Sequence, residues 1–175
     1  MKLLCCHPSG LMYTEIYLRL EPLGVELVAQ AARRAGHKVR ILDLQVFSHQ
    51  DYFKALDQWH PDAVCFGINY LANIPEVIDL AKETRQCLPQ TFFFVGRHSA
   101  SFTAREILEH AQGTIDCVVR GEVDQIGSSS LRRWMIEKES ACFRGWSHKK
   151  GKDRHLKWST TSIAKVPMMV AQVTP

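Results

Sequence analysis

The six cysteines of this sequence form no Cys-x-x-Cys pair, and no apolar run approaches the length of a membrane-spanning helix. The first absence argues against a zinc ribbon or a thioredoxin-type redox site. The second predicts that no helix crosses a bilayer, which takes about 20 apolar residues. The Gly-x-Gly-x-x-Gly pattern of dinucleotide sites and the Walker A loop are also missing. The common nucleotide-dependent classes therefore have little support.

The overall composition is that of a globular protein, with 46% hydrophobic and 23% charged residues in a chain of 175. Four cysteines, Cys5, Cys6, Cys65 and Cys117, lie within apolar runs, so we predict buried, reduced thiols. The apolar stretch after Met1 is too short for a signal peptide. We therefore expect a cytoplasmic protein without a membrane span.

The net charge of +4 is unevenly distributed along the chain. Residues 1–121 carry 12 Lys and Arg against 13 Asp and Glu, whereas residues 122–175 carry 10 against 5. Such asymmetry is typical of a basic tail that contacts nucleic acid or a membrane surface. A run such as Lys149-Lys150-Gly151-Lys152 is more often solvated, so we do not expect nucleic acid as the partner.

Strand-like and helix-like segments alternate through residues 1–121, with short connections. This alternation predicts an α/β protein with a doubly wound, five-stranded parallel sheet, of the flavodoxin-like or Rossmann-like class. The predicted strands are Lys2–Cys6, Lys38–Asp43, Ala63–Ile68, Thr91–Val95 and Ile115–Val119.

Three details of the helices are also predicted. The first helix, about Leu23 to Ala35, has apolar residues at i+4 spacing that we expect to face the core, namely Leu23, Leu27, Ala31 and Ala35. Asn73 with Glu76, and Thr103 with Glu106, have the spacing of capping boxes at the starts of two later helices.

The regular pattern is lost near residue 122, where the charge also changes. We predict a domain at residues 1–122 and an atypical basic tail at residues 123–175, a candidate for a frameshifted or partly disordered segment. The tail has an apolar stretch at Ile163–Pro175 with no evident pairing partner.

Short loops of small or polar residues follow four of the predicted strands. Since the carboxyl ends of parallel strands meet at one edge of a sheet, these loops predict a ligand site there. They are His7-Pro8-Ser9-Gly10, Gly67-Ile68-Asn69-Tyr70-Leu71-Ala72-Asn73, Gly96-Arg97-His98-Ser99 and Arg120-Gly121-Glu122.

Catalytic and metal-binding groups are not evident in these loops. His7 and His98 have positions from which an imidazole can coordinate a metal, but a histidine that only tethers its loop is commoner. No pair or triad indicates acid–base or nucleophilic catalysis, so we predict no catalytic and no metal-ligating residue. FMN remains an alternative ligand, with Ser9 and Thr14 as the hydroxyls of the first loop.

The order of these short motifs resembles the N-terminal cobalamin (B12)-binding domain of cobalamin-dependent radical SAM enzymes. The segments Asn69–Asn73 and His98–Phe102 look most like the hopanoid C-3 methylase subgroup. The resemblance covers residues 1 to about 122 and rests on Pro22-Leu23-Gly24, Gly36-His37, Asp43, Pro61-Asp62, Gly67, Gly96-x-His98 and Arg120-Gly121-Glu122.

The resemblance implies a corrinoid that lies across the carboxyl edge of the sheet, with a cobalt that has no histidine ligand from the protein. Small residues suit this role because a macrocycle must approach the backbone closely. The cofactor-binding residues that it implies are Ser9, Leu23, Gly24, Asn69, Tyr70, Leu71, Asn73, Gly96, Arg97, His98, Ser99, Gly121 and Glu122.

Two departures from the family pattern matter. Arg97 stands where the family usually has a second glycine, and its side chain either clashes with the corrin or its nucleotide tail, or reaches a propionamide or phosphate. Gly121-Glu122-Val123-Asp124 replaces the family's Gly-Glu-Gly-Glu, and the C-x-x-x-C-x-x-C motif of a radical SAM domain does not occur. Without three cluster cysteines we expect no 4Fe-4S cluster and no S-adenosylmethionine site.

The sequence thus predicts a cobalamin-binding module of a hopanoid methylase-like methyltransferase, truncated before the radical SAM domain and without catalytic machinery. Its expected partners are a corrinoid and a radical SAM domain or subunit. The alternative is a flavodoxin-like binding protein that takes FMN, or nucleic acid through the basic tail.

Overall fold

A computed structural model describes residues 1–10 and 21–120, and the backbone of residues 156–163 and 166–173. None of the helices in these ranges is both long and apolar enough to cross a membrane. The elements are β1 (Lys2–His7), α1 (Leu23–Arg34), β2 (Lys38–Asp43), α2 (His49–Trp59), β3 (Ala63–Gly67), a 3-10 turn (Leu71–Asn73), α3 (Ile74–Cys87), β4 (Phe92–Gly96), α4 (His98–Phe102), α5 (Ala104–Ala111), β5 (Cys117–Arg120), β6 (Leu156–Ile163) and β7 (Val166–Val173).

The first five strands form a parallel sheet in the order β2-β1-β3-β4-β5. This is the order of flavodoxin-like sheets, and it confirms the predicted fold class. Every residue of β3 and β4 is buried, as expected for central strands with helices on both faces.

Two further strands extend the sheet beyond the five that we predicted. β7 pairs in parallel with β5, from Cys117 opposite Met169 to Arg120 opposite Gln172, and β6 pairs antiparallel to β7. The apolar stretch near the end of the chain therefore has a partner, which the sequence pattern did not indicate. The division of the chain at residue 122 stays a prediction.

The apolar core has one layer on each face of the sheet. On one face, side chains of the strands pack with those of α2, α3 and α5, and Tyr52, Phe66 and Phe93 form a chain of ring contacts. On the other face, the strands pack against α1. The site edge therefore lies on a sheet that is fixed from both sides.

The buried face of α1 differs from the predicted one. Val25, Val28, Ala29 and Ala32 face the sheet, and Leu23 is 60% exposed. The prediction followed the larger leucines, but Ala29 and Ala32, both fully buried, let the helix lie close to β1 and β3. The predicted stripe that included Leu23 was therefore wrong.

Both predicted capping boxes were wrong as well. Asn73 already has helical dihedral angles and makes no capping bond, and Thr103 uses its hydroxyl to donate to the Ser99 carbonyl at 2.8 Å. The capping box that the structure does show is at α2, where Ser48 and Asp51 exchange side-chain and backbone hydrogen bonds. The Ser-x-x-Asp spacing at residues 48–51 is a weaker form of the Ser/Thr-x-x-Glu pattern that indicates a capping box.

The four thiols predicted to be buried are buried and reduced. Burial raises the pKa of Cys6, with the neighbouring Cys5 as a smaller cause. A hydrogen bond with Cys5, followed by burial, raises the pKa of Cys65. Such thiols stay protonated and are poor nucleophiles, so they are core residues rather than a reactive site.

Tyr52 predicts how stability depends on pH. Burial raises its pKa well above the ordinary value of about 10, so the folded state keeps the phenol neutral while the unfolded chain ionises. Its stabilising contribution is complete below about pH 10 and is lost as the pH rises further. We expect Tyr52→Phe to flatten the decline in the free energy of unfolding above pH 10, measured by urea denaturation.

Thr84→Val is the matched control for that experiment. Tyr52 and Thr84 share a hydrogen bond of 2.6 Å, so each variant should lose about 1 kcal/mol at neutral pH. Only Tyr52→Phe removes the titrating group. If both variants keep the wild-type slope above pH 10, the account of Tyr52 is wrong.

Candidate functional site

The carboxyl ends of β1, β3, β4 and β5 lie along one edge of the sheet. At its centre Gly67, the last residue of β3, stands directly opposite Gly96, the last residue of β4. A backbone bond from the Ile68 amide to the Gly96 carbonyl, 2.9 Å long, continues this pairing beyond the glycines. Both glycines are buried, and a Cβ at Gly67 would lie 2.8 Å from Cγ2 of Val25, so no side chain projects from the middle of the edge.

The loop after β1 is held by the start of α3. The backbone amide of Ser9 donates to both carboxylate oxygens of Glu76, each at 3.2 Å. The Asn73 amide donates to the Ser9 carbonyl at 3.0 Å, and His49 lies 2.7 Å from Glu76. Glu76, which the sequence suggested only as a cap, is thus the residue that fixes this loop.

The loops after β3 and β4 are joined by Ser99. Its hydroxyl donates to the Asn69 carbonyl at 2.6 Å, and its amide donates to the Ile68 carbonyl at 3.2 Å. Arg120, the last residue of β5, donates from Nε to the Ser101 carbonyl at 2.9 Å. The edge therefore has fixed residues after β1, β3 and β4, and the end of β5 is held to α4.

Large apolar side chains stand exposed beside these loops. Tyr70 is 50%, Leu71 58% and Phe102 73% exposed, and the His98 ring packs edge-on against Phe102 at 5.0 Å. Exposed apolar groups grouped near a polar edge are typical of a surface that a ligand or partner covers.

The two candidate metal-binding histidines have other contacts. His7 is 12% exposed at its side chain, with Nδ1 2.9 Å from the Pro8 carbonyl and 3.5 Å from Asp43. It tethers its loop. Within the described residues, no three His, Cys, Asp or Glu side chains are grouped to hold a metal ion.

A small, mostly apolar groove with a cavity volume of about 20 Å³, open at its mouth, runs between α1 and the sheet just below the edge. The side chain of Arg97 lies in it. A Cβ added at Gly24 would overlap Nη1 and Cζ of Arg97, and one added at Gly67 would lie 3.0 Å from Cδ. The groove is lined by Gly24, Val25, Val28, Cys65, Phe66, Gly67, Phe94, Gly96, Arg97 and Val119.

Arg97 has an unusual backbone conformation, with φ 81° and ψ −171°. This region is essentially restricted to glycine, and a residue with a side chain there costs about 1–3 kcal/mol. The position therefore has the backbone geometry of a glycine although it holds an arginine.

The structure brings most of the predicted site residues to this edge. Gly121 and Glu122 lie outside the described residues. Asn73 and Ser99 are buried, and their side chains bond other loop residues. Asn73 donates to the Ser9 carbonyl, and Ser99 donates to the Asn69 carbonyl. Those at or near the edge are Ser9, Leu23, Gly24, Asn69, Tyr70, Leu71, Asn73, Gly96, Arg97, His98 and Ser99.

Several residues of the site were not predicted. Glu76 and Phe102 lie in helices rather than in the four strand-end loops, and neither was predicted to contact a ligand. The apolar lining of the groove, such as Val28 and Phe94, has the pattern of ordinary core. Gly67 begins one of the predicted site loops but was not among the predicted cofactor-binding residues, although a glycine at the end of a buried strand often marks a close backbone approach.

The edge fits the ring of a corrinoid. A wide, flat macrocycle needs an edge without projecting side chains at its centre and apolar side chains to lie against. The buried glycine pair projects no side chain, and Tyr70, Leu71 and Phe102 are exposed apolar groups. The groove beside α1 has no comparable space for a ligand, because the Arg97 side chain lies in it.

The strain at Arg97 predicts a stability change. Arg97→Gly should raise the free energy of unfolding by about 1 kcal/mol, because relief of about 1–3 kcal/mol of strain exceeds the 0.5–1 kcal/mol entropic cost of glycine. Gln112→Gly is at an exposed position with φ 50°, in the better-tolerated left-handed region. This variant should therefore raise the free energy of unfolding by less. Urea denaturation measures both, and a loss of stability in Arg97→Gly would contradict the strain.

Glu76 predicts the behaviour of the first loop. Glu76→Ala removes the acceptor of the Ser9 amide, so exchange of that amide with solvent should accelerate at least tenfold. Stability should fall by about 1–2 kcal/mol. Asp79→Ala on the same helix, where the carboxylate only pairs with exposed Lys82, is the control and should leave Ser9 protected. Equal exchange at Ser9 in the two variants would refute the role of Glu76.

Comparison with known proteins agrees with this geometry. The chain is 62% identical over 122 residues to the hopanoid C-3 methylase of Methylococcus capsulatus. This match covers 70% of the chain but spans only 24% of that protein's length. A crystal structure of a cobalamin-binding protein from Desulfitobacterium hafniense superposes with a TM-score of 0.58 at 12% identity, covering 76% of this chain and 58% of the other. The superposition confirms the fold.

The family itself is identified by a match along most of the chain. The sequence model of the B12 binding domain matches residues 9–127, which include the four strand-end loops and the groove. The predicted family is therefore confirmed: the chain belongs to the B12-binding domain family.

Proposed function

We propose that this chain binds cobalamin across the carboxyl edge of its sheet, with the corrin ring over Gly67 and Gly96. The observation that carries the proposal is the placement of this glycine pair between loops that are already fixed. A ring in this position contacts backbone at its centre and the exposed Tyr70, Leu71 and Phe102 side chains near it. Fixed loops lower the entropic cost of binding.

The protein's own groups orient the ligand in this arrangement. The loop after β1 is set by Glu76, and the loops after β3 and β4 are set by Ser99. Backbone amides and carbonyls at this edge match the amide side chains around a corrin, and the apolar side chains exclude water from its face. No residue described here acts as an acid, base or nucleophile in the proposal.

We further propose that the module serves a methyl transfer of the hopanoid methylase type, with a radical SAM domain or subunit as its partner. When bound, cobalamin supplies the methyl-carrying chemistry of such enzymes. The 62% identity to a protein named hopanoid C-3 methylase supports this context. The free, buried thiols support a reducing compartment such as the cytoplasm.

The test is an absorbance titration of the purified chain with hydroxocobalamin, followed by desalting. We expect the corrinoid spectrum to co-elute at close to one equivalent. A protein with the circular dichroism of an α/β fold that stays colourless with hydroxocobalamin and also with tail-less diaquocobinamide would overturn the proposal.

A pair of surface variants locates the ligand. Leu71→Asp should raise the dissociation constant about tenfold, since loss of a largely buried leucine contact costs about 1.4 kcal/mol or more. Val46→Asp is the control, because Val46 is 61% exposed, close to the 58% of Leu71, but follows β2, two strands away from β3. Equal effects of the two substitutions would contradict binding at the central edge.

A further inference from the structure

The side chain of Arg97 occupies space that a ligand would otherwise enter. Its stem passes over Gly67 and its guanidinium lies against Gly24, at the start of α1. Both glycines are close enough that an added Cβ would conflict with this side chain. The arginine thus fills the groove from the edge inward.

The part of the chain that the structure describes places no counter-charge beside the guanidinium. Among the described residues, Arg97 forms no ion pair, and no acceptor lies within hydrogen-bond distance of its side chain. The walls of the groove are mostly apolar side chains such as Val28 and Phe94. An arginine that recognised an anion would be expected to extend toward solvent, and this one points inward.

The shape of the groove decides which part of a corrinoid it affects. A corrin ring is far wider than a groove of about 20 Å³ between one helix and the sheet, so the ring stays at the edge. The nucleotide tail of cobalamin is narrow and ends in a flat aromatic base, which suits an apolar groove. With Arg97 in place, that base has no room there.

We propose that Arg97 determines corrinoid specificity, by filling the groove and disfavouring corrinoids that carry a nucleotide tail. The inference rests on the proposed function, since it concerns the same site. The chain binds the ring of a tail-less corrinoid without displacing Arg97. To bind cobalamin with its tail inserted, it must first move the arginine side chain out of the groove.

The test compares two corrinoids on the full 175-residue chain by equilibrium dialysis with absorbance detection. Hydroxocobalamin carries the nucleotide tail and diaquocobinamide lacks it. We expect Arg97→Gly to tighten cobalamin binding at least tenfold and to change cobinamide binding less than threefold. Arg97→Ala, which opens the groove but keeps a side chain at the strained backbone position, should show the same selectivity.

Arg105→Ala is the control for the loss of positive charge. Arg105 lies on α5 with its side chain 69% exposed and pairs with Glu109, so this variant should bind both corrinoids as the wild type does.

If Arg97→Gly changes the two dissociation constants by the same factor, the specificity proposal is overturned while corrinoid binding stands. If Arg97→Gly weakens the binding of cobalamin but not that of cobinamide, Arg97 contacts the tail favourably, and the specificity proposal is also overturned. If no variant binds either corrinoid, the proposed function fails as well.

Discussion

The pairing of β3 with β4 is the constraint on which the rest of the site depends. Hydrogen bonding in parallel fixes the register, and this register places Gly67 opposite Gly96 at the carboxyl edge. A shift of one residue would put a side chain of Phe66 or Val95 at the centre of the edge and move the side chains of the shifted strand into the opposite core layer, where they do not fit. Because both strands are buried on both faces, such a shift is strongly disfavoured.

The loops follow from that register through hydrogen bonds between side chains and backbone. Ser99 joins the loops after β3 and β4, Glu76 holds the loop after β1, and Arg120 joins β5 to α4. Each of these bonds satisfies a backbone group that water would otherwise solvate at an exposed edge. The edge therefore has a defined shape before any ligand is present.

The fold was largely predictable from the sequence, whereas the site was predictable only in outline. Apolar runs such as 63–68 identify buried parallel strands, and short connections leave few alternative topologies. The pattern could not reveal that Val25 rather than Leu23 faces the sheet, because both fit a helical stripe and the distance between helix and sheet decides between them. Nor could it reveal the pairing of β7 with β5, since long-range pairing leaves no local periodicity.

The site residues show a similar limit. Asn73 and Glu76 were identified by spacing as a cap, but their side chains bond the Ser9 backbone 60 or more residues away. Only the tertiary fold decides whether these side chains cap their own helix or bond the Ser9 backbone. Arg97 was identified as a departure at a glycine position, yet the sequence left open whether it meets the ring, the tail or a phosphate.

The backbone conformation at Arg97 determines where its side chain lies. Positive φ at this position directs the side chain over Gly67 toward Gly24 rather than outward from the edge. A glycine here would leave the same backbone unstrained and the groove free. The arginine therefore carries two costs at once, the strain of its backbone and a cation in a mostly apolar groove where the described residues offer it no ion pair. A side chain held under both costs changes the shape of the site without changing the fold, and this is why the edge retains the features that suit a corrin ring while the groove does not.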